Sequence, residues 1–312
     1  MRQATNDIAL DYLLQQLAIQ QPSPEQVITP SWSGLEHLNL TVKRDDLLHA
    51  IISGNKWRKL QYSLLAALQQ NIAHIVSFGG GFSNHLHALG YCCHALNIKF
   101  TAIVRGDYSA NPSPMLKDLL KWHTDIQYVT KVSYRQRDEP DYLRQLQDRF
   151  GKVMIIPEGG SNELALQGIA ELVDELLQTY DYIIAPVASG GTLAGLIKAK
   201  HNTPCKILGI GVLKGEDYLA ELVQNLLPSD LQTLPSAHWS INHDYHFDGY
   251  AKSSQELHDF CDDFYQQTQI AIEPIYSGKL FFALRDLIGQ GYFPQGSKVL
   301  ALHTGGLQGA RT

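Results

Sequence analysis

The sequence has few cysteines, no block of basic residues and no long apolar segment. Its four cysteines form no CxxC pair and no zinc-binding spacing, so we expect reduced thiols in a cytoplasmic protein. The net charge is -6, with 25 Lys and Arg against 31 Asp and Glu, which gives little support to a nucleic-acid partner. No apolar run is long enough to cross a bilayer, and no apolar segment follows the N-terminal residues as in a signal peptide. These absences favour a cytoplasmic protein that binds neither nucleic acid nor a membrane.

One predicted helix, near residues 85–96, carries three histidines and two cysteines, which are residue types that bind zinc. Their spacing spreads them around the circumference of the helix, and no carboxylate completes a set of ligands. We therefore expect no metal site. The remaining histidines fit surface or core positions.

Short apolar segments alternate with helical patterns through most of the chain. The 312 residues, 44% of them hydrophobic, allow a large core and one or two domains. A first helix is predicted at residues 6–18, prolines predict an extended link at 22–30, and a polar stretch at 238–250 has no predicted element. Strands are predicted at residues 38–42, 72–78, 100–104, 126–129, 153–156, 182–187, 207–212 and 298–303. This alternation predicts parallel βαβ units, and because no linker interrupts it, a second domain would be inserted within the first.

A lysine stands at the predicted start of a helix, in the segment SGNKWRKL at residues 53–60. Leucines recur behind it at helical spacing, so we predict Gly54 as a turn residue and Asn55 as the N-cap. Burial and the charges of Arg58 and Lys59 would disfavour the ammonium form of Lys56. A neutral amine is what Schiff-base chemistry requires, although an ordinary exposed lysine fits the same pattern.

Four loops follow predicted strands, which is where ligands bind in open α/β sheets. In the first, at residues 77–85, glycines let a ligand approach the backbone, and Ser83 or Asn84 could be functional or only an N-cap. The second, Ala188-Ser189-Gly190-Gly191-Thr192, opens onto a helix N-terminus and could bind phosphate or be a tight turn. It lacks the lysine of a Walker loop and the spacing of a dinucleotide fingerprint.

The other two loops could contribute side chains to the same site. Tyr276, in the segment EPIYSGK at residues 273–279, could be an acid or a base if its surroundings shift its pKa, or a packed aromatic residue. Thr304, in HTGG at residues 303–306, could place a hydroxyl beneath a planar ring, or belong to a terminal turn. Taken singly, none of these loops decides the function.

Together, the loops resemble those of the pyridoxal-phosphate enzymes that include 1-aminocyclopropane-1-carboxylate deaminase and D-cysteine desulfhydrase. The most specific matching segments are GNKWRKL at 54–60, SNH at 83–85, PEGGS at 157–161 and YSGK at 276–279. The resemblance implies an α/β, tryptophan-synthase-β-like fold (fold type II of pyridoxal-phosphate enzymes) with two parallel-sheet domains. A larger cofactor-binding domain would comprise residues 1–65 and 161–312, and a smaller domain would be inserted at residues 66–160. Members of this family are commonly homodimers, so we expect one here.

The resemblance also implies a role for each candidate residue. Lys56 would hold pyridoxal 5'-phosphate as a Schiff base, and Asn84 would hydrogen-bond its ring hydroxyl. The residues expected to bind the phosphate are Lys59, Ala188, Ser189, Gly190, Gly191 and Thr192. Those expected near the pyridine nitrogen are Ser277 and Thr304, and those expected to face a small amino-acid substrate as catalytic groups are Ser83, Tyr250 and Tyr276.

Ser277 departs from the pattern of the ring-opening deaminases, which carry a glutamate in its place. A carboxylate keeps a pyridine nitrogen protonated more strongly than a hydroxyl does, so Ser277 favours elimination of a good leaving group. We therefore predict a lyase that converts D-cysteine to pyruvate, ammonia and sulfide. The alternatives are a deaminase of the cyclopropane amino acid and a non-catalytic protein that binds a phosphorylated ligand.

Overall fold

The computed structural model describes residues 10–233 and 238–311, except for the side chains of residues 216 and 217. The strands in this part of the chain form two sheets. The strands are β1 (Glu25–Val27), β2 (Asn39–Lys43), β3 (His74–Gly80), β4 (Lys99–Arg105), β5 (Asp125–Val129), β6 (Met154–Ile156), β7 (Tyr182–Val187), β8 (Lys206–Gly211), β9 (Trp239–Asn242) and β10 (Lys298–Leu302). The six-stranded sheet has the order β1-β2-β10-β7-β8-β9, and the four-stranded sheet has the order β5-β4-β3-β6.

Helices cover both sheets. The described part of α1 spans residues 10–16. The others are α2 (Asn55–Gln69), α3 (Asn84–Ala95), α4 (Pro114–Lys121), α5 (Lys131–Tyr134), α6 (Pro140–Phe150), α7 (Glu163–Asp174), α8 (Gly191–Lys200), α9 (Glu216–Leu226), α10 (Gln255–Thr268) and α11 (Ser277–Gly289). No helix among the described residues is both long and apolar enough to span a membrane.

The larger sheet is parallel except at one edge, where β1 pairs antiparallel with β2. Strand β10 lies between β2 and β7, and its residues Val299, Leu300 and Ala301 are fully buried. Such unbroken apolar strands are expected where helices cover both faces of a parallel sheet. The chain order reverses between β7 and β10, so the loops that follow these two strands leave the same edge as neighbours.

The smaller sheet is parallel throughout, and β3 pairs with β4 over seven residues. From β3 the chain runs to β4 and β5 on one side and then returns to β6 on the other. The loops after β3 and β6 therefore also lie side by side at a carboxyl edge, where α/β sheets bind ligands. Of the four loops singled out in the sequence, those after β3, β7 and β10 leave the sheets at these reversal points. The fourth, at residues 273–279, lies between α10 and α11, so the prediction that it follows a strand is wrong.

The predicted α/β fold with two parallel-strand sheets is confirmed, and three elements were missed. Strand β1 lies inside the predicted extended link, β9 lies inside the polar stretch at 238–250, and α5 is a single turn. Part of the predicted first helix, residues 6–9, lies outside the described residues. The strands of the smaller sheet span residues 74–156, and the division into domains at residues 66 and 160 stays a prediction.

The start of α2 is anchored by a buried ionic network. Arg58 is fully buried, and its guanidinium donates to Asp45 at 3.1 Å and to Glu175 at 2.6 Å. Glu175 also pairs with Lys43, at 3.1 Å. Because Asp45 follows β2 and Glu175 follows α7, this network fixes α2 against both elements.

Candidate active site

The first turn of α2 lies against the loop that follows β10. Gly54 has φ +68°, and a Cβ there would lie 1.8 Å from the carbonyl oxygen of Thr304. Only glycine therefore lets this loop approach the helix so closely. The Asn55 N–H donates to the same carbonyl at 3.2 Å. Thr304 is thus brought beside the predicted cofactor lysine.

Asn55 is the first residue of α2, so its prediction as the N-cap is wrong, whereas the turn at Gly54 is present. The Asn55 side chain instead has two tertiary roles. Its Oδ1 accepts a hydrogen bond from Lys56 Nζ at 2.7 Å, and its Nδ2 donates to Thr192 Oγ1 at 2.8 Å. It therefore joins the lysine to the loop that follows β7.

Burial lowers the pKa of Lys56 to about 8, while the charge of Glu273 opposes this shift. The lowered pKa of Lys56 agrees with the expectation from the sequence, but its physical cause differs in part. Arg58 was expected to contribute positive charge, yet its guanidinium is paired with two carboxylates. Desolvation thus brings the amine within reach of its neutral form near neutral pH.

Lys59 is a buried lysine whose hydrogen-bond partners are both neutral hydroxyls. Its Nζ lies 3.1 Å from Ser161 Oγ and 3.2 Å from Ser189 Oγ, and the residue is 2% exposed. Among the described residues no carboxylate forms an ion pair with it, and burial lowers its pKa well below the ordinary value. The ammonium form of Lys59 lacks a counter-charge here, which a bound anion would supply.

Small residues shape a concave cup around Lys59. A Cβ at Gly191 would lie 2.7 Å from Ser161 Oγ, and a Cβ at Gly159 would lie 2.7 Å from Ser189 Oγ. Gly190 precedes α8 with φ +77°, so the free N–H groups of the helix start open into the loop. Ala188 occupies the turn just after β7. A lysine, hydroxyls and a helix N-terminus form a donor set that fits a phosphate group.

The loop after β3 supplies Ser83 and Asn84. Ser83 is the N-cap of α3 and accepts from the Leu86 N–H at 3.2 Å, which is the structural role considered for it. Asn84 begins α3, and its Oδ1 accepts a hydrogen bond from Gln308 Nε2. A Cβ at Gly306 would lie 3.0 Å from Asn84 Nδ2, so the loop after β10 touches the smaller sheet here.

Tyr276 and Tyr250 face each other, with ring centroids 6.2 Å apart and planes at 64°. Burial raises the pKa of Tyr276 well above its ordinary value, and Tyr250 and the hydrogen bond between them raise it further. Burial also raises the pKa of Tyr250, which is 42% exposed. Both phenols therefore stay protonated at neutral pH, so Tyr276 is suited to donate a proton and not to act as a base.

Glu273 was missed as a candidate site residue. It is 1% exposed, and its Oε1 accepts the N–H groups of Tyr276 and Ser277, each at 2.9 Å. Its Oε1 also lies 3.2 Å from Ser277 Oγ. Burial raises its pKa to about 7, against the effect of these N–H groups. An acidic residue four positions before Ser277, the first residue of α11, was the available signal for such a cap.

The structure brings most predicted residues into one connected region. Asn55 joins Lys56 to Thr192, and Thr304 lies against the same turn. Gly306 lies close to Asn84, Tyr276 and Glu273, and the charge of Glu273 reaches Lys56. Ser83 is bound within its own helix start, and Tyr250 reaches the region through Tyr276. The roles of these residues toward a ligand stay predictions.

Among the residues that the structure describes, no group of three or more His, Cys, Asp or Glu side chains could bind a metal ion. The histidines of α3 have other partners. His85 Nε2 lies 2.7 Å from Ser77 Oγ, and His87 Nε2 lies 3.1 Å from Asp118 Oδ2.

Comparison with known proteins gives consistent matches. A family model described as "Pyridoxal-phosphate dependent enzyme" matches residues 27–305. A Thermotoga maritima protein named "Putative 1-aminocyclopropane-1-carboxylate deaminase" is 31% identical over 286 residues, 87% of this chain and 89% of the relative. An Arabidopsis thaliana mitochondrial protein named bifunctional D-cysteine desulfhydrase/1-aminocyclopropane-1-carboxylate deaminase is 28% identical over 86% of this chain and 73% of its own. A crystal structure described as an ACC deaminase homologue superposes with a TM-score of 0.76 at 27% identity, covering 96% of each chain.

Proposed function

The chain belongs to the pyridoxal-phosphate dependent enzyme family, and on that premise we propose that it eliminates sulfide from a small D-amino acid, most specifically D-cysteine. The coarser assignment does not depend on the substrate. The chain is a pyridoxal-phosphate-dependent lyase related to 1-aminocyclopropane-1-carboxylate deaminases and D-cysteine desulfhydrases. Membership of an enzyme family also gives no support to the non-catalytic, ligand-binding alternative.

The donor set around Lys59 fits the phosphate of the cofactor. We infer that Lys59 and residues 188–192 bind that phosphate and that Lys56 holds the cofactor covalently. Asn84 would donate to the ring hydroxyl, because Gln308 already binds its Oδ1 and leaves Nδ2 to face the site. Ser277 and Thr304 would lie toward the ring nitrogen.

When bound, the cofactor supplies an electron sink for the negative charge that develops at the substrate α-carbon. The protein supplies the proton transfers. The Lys56 amine, with its pKa lowered to about 8, would remove the α-proton, and the protonated Tyr276 hydroxyl would donate to the departing sulfur. Ser83 keeps its hydroxyl hydrogen after accepting from Leu86, so it can donate to the substrate carboxylate. With one water consumed, the products are pyruvate, ammonia and hydrogen sulfide.

The observation that carries the D-cysteine assignment is the side chain at position 277. Ser277 is fully buried and has a neutral hydroxyl where the ring-opening deaminases carry a carboxylate; this hydroxyl accepts from the Glu273 N–H at 2.9 Å and lies 3.2 Å from Glu273 Oε1. Glu273 lies behind it, but this carboxylate is hydrogen-bonded to three backbone N–H groups, at Ile275, Tyr276 and Ser277. Its pKa of about 7 means that it is partly protonated near neutral pH. Position 277 therefore offers a weak counter-charge, which suits loss of a good leaving group better than ring opening.

The second candidate is ring opening of 1-aminocyclopropane-1-carboxylate. The names of the Thermotoga maritima and Arabidopsis thaliana relatives favour it, and the Arabidopsis name assigns both activities to one protein. We rank it second because those names describe other proteins, whereas the hydroxyl at Ser277 is a feature of this chain.

A substrate panel separates the two candidates. Purified protein would be given D-cysteine, L-cysteine, D-serine and 1-aminocyclopropane-1-carboxylate, with pyruvate, sulfide and the four-carbon oxo acid measured separately. We expect pyruvate and sulfide in equal amounts from D-cysteine and no oxo acid from the cyclopropane. The reverse pattern would reject the proposal in favour of ring opening. Loss of the yellow colour on borohydride treatment tests covalent attachment of the cofactor independently.

We further expect a homodimer located in the cytoplasm, as the family resemblance and the cysteine content suggest. All four cysteines are buried and unpaired, and burial raises the pKa of each thiol. Light scattering on the purified protein would give the assembly mass, and a monomer at working concentration would contradict this expectation.

A further inference from the structure

Lys279 is a fully buried lysine in the first turn of α11 that binds only backbone carbonyls. Its Nζ donates to the carbonyl oxygens of His246 and Gly249, each at 2.8 Å, and lies 3.4 Å from that of Val212. An ammonium has three hydrogens, so each can find one acceptor. Burial lowers the pKa of Lys279 to about 8, while Glu273 opposes the shift. Burying a lysine costs free energy, so we attribute the burial of Lys279 to its contacts with the loop that it binds.

That loop has a backbone conformation which side chains rarely adopt. Phe247, Asp248 and Ala251 have φ of 50°, 64° and 54°, and Gly249 has φ of 118°. Three of these are not glycine, so the loop must be held by contacts outside itself. Lys279 binds the carbonyls at both ends of its turn, and these same carbonyls accept the loop's own hydrogen bonds from Gly249 and Lys252.

The loop carries Tyr250, which follows directly on Gly249. Tyr250 is 42% exposed and meets Tyr276 with ring centroids 6.2 Å apart. Tyr276 immediately precedes α11, three residues before Lys279. Lys279 and Tyr276 therefore lie at the same helix start, and Lys279 fixes the position of Tyr250 relative to Tyr276.

We propose that Lys279 is a positioning residue that clamps the 246–251 loop and thereby holds Tyr250 against Tyr276 on the substrate side of the site. The consequence for turnover rests on the proposed function, whereas the clamp itself does not. A methionine would fill much of the same space but would remove the second donor from each of the two close carbonyls, leaving only the loop's own N–H groups. The hydrogen bonds described for Lys279 Nζ go to the carbonyls of residues 212, 246 and 249 and not to the phosphate cup, so we expect cofactor affinity to be retained when Lys279 is replaced.

Hydrogen exchange of the holoenzyme tests the clamp directly. Lys279→Met should speed amide exchange in the peptide spanning 246–252 by about tenfold or more, and leave the peptide over α8 unchanged. The matched control is Lys252→Met, an exposed lysine beside the same loop, which should leave both peptides unchanged. Lys279→Gln, which keeps amide donors on a shorter stem, provides a second variant if Met prevents folding. Unchanged exchange at 246–252 in a folded Lys279 variant would overturn the clamp.

A double-mutant cycle with Tyr250→Phe tests the action through Tyr250. Lys279→Met should lower kcat/KM by roughly tenfold in the parent, with cofactor affinity and absorbance retained, and by less than about twofold in the Tyr250→Phe background. Equal losses in both backgrounds would overturn the positioning role. If the unmutated protein turns over none of the panel amino acids, the proposed function fails, and the exchange experiment still decides the clamp on its own.

Discussion

Asn55 Nδ2 donates a hydrogen bond to Thr192 Oγ1 at 2.8 Å, across 137 residues of sequence. This contact determines what the threonine hydroxyl can offer a ligand. Because the oxygen accepts from Asn55, its own hydrogen remains available to donate into the cup beside Lys59. One amide thus connects the lysine that would hold the cofactor to the hydroxyl that would bind its phosphate.

Thr192→Val should weaken cofactor binding while preserving the side-chain volume. A hydrogen bond to a charged group contributes about 1.5–3 kcal/mol, so we expect roughly a ten- to hundredfold loss of affinity in a titration of the apo protein with pyridoxal phosphate. The control is Thr203→Val, just beyond the other end of α8, where the hydroxyl donates to the Lys200 carbonyl. Equal affinity in the two variants would place the phosphate elsewhere.

Lys56→Ala should remove the absorbance of the lysine-bound cofactor and nearly all turnover. Among the described residues at the start of α2, only Lys56 combines a pKa lowered to about 8 with a partly exposed side chain. Absorbance spectra and mass spectrometry after borohydride reduction provide the measurement, with the exposed Lys252→Ala as control. A reducible adduct together with full activity in Lys56→Ala would mean that another lysine is the anchor.

Ser277→Glu should weaken elimination from D-cysteine or leave it little changed, and introduce at most traces of ring opening. The new carboxylate would lie beside Glu273, whose Oε1 is 3.2 Å from the present hydroxyl. Two carboxylates this close in a buried site cannot both ionise, so the gain in counter-charge is limited. Sulfide and the four-carbon oxo acid are measured for this variant and for Ser277→Thr, which keeps the hydroxyl. Strong ring opening by the unmutated protein, with D-cysteine inert, would show that position 277 does not set the reaction.

Glu273→Gln should remove a pH dependence of stability between pH 4.5 and 7. The folded-state pKa of Glu273 is raised from 4.5 to about 7, so the folded protein binds a proton in this range more readily than the unfolded chain. Stability of the unmutated protein should therefore fall relative to the variant as pH rises through this window, by up to about 1.4 kcal/mol per pH unit. Denaturant unfolding at pH 5, 6 and 7 measures the difference. A constant difference would show that Glu273 stays ionised when folded.

Arg58→Met should destabilise the protein by about 3–5 kcal/mol, because it leaves the buried Asp45 without its guanidinium partner and Glu175 with only Lys43. Arg144 offers a matched control, since it pairs with Asp141 at the surface, with side chains 67% and 80% exposed. Arg144→Met should cost at most about 1 kcal/mol. Urea unfolding of both variants provides the comparison. Similar losses would mean that the network around Arg58 contributes no more than a surface pair.

The strands that the sequence predicted best are those buried on both faces, because an unbroken apolar segment identifies them without knowledge of their neighbours. Strand β9 was missed because it is the edge strand beside β8 and its residues are only partly buried. Strand β1 was missed because it has three residues and pairs only with β2. The edge strands β5 and β6 were predicted because they are mostly apolar, whereas β1 has one apolar residue and the alternation in β9 covers only four residues inside a polar stretch.

At the site, short-range patterns identified the residues, and long-range contacts decided what they do. Asparagine is a typical N-cap residue, but the side chain of Asn55 forms hydrogen bonds with Thr192 and Lys56 instead. In the sequence, Lys279 is only the last residue of the YSGK segment. The backbone carbonyls that accept its hydrogen bonds lie 30 to 67 residues earlier in the chain. No local pattern contains such partners, so only the folded structure could reveal them.

The position of β10 constrains the order in which the protein can form during synthesis. The strands of the smaller sheet span residues 74–156, so this sheet can assemble while translation continues. The larger sheet has β10 inserted between β2 and β7, although β10 comes after all the other described strands along the chain. Nascent chains shorter than about residue 302 therefore lack both the middle of that sheet and the Thr304 loop. At the proposed site, cofactor capture would begin only after β10 and the loop that carries Thr304 have left the ribosome, so cofactor binding would report that the larger sheet has formed.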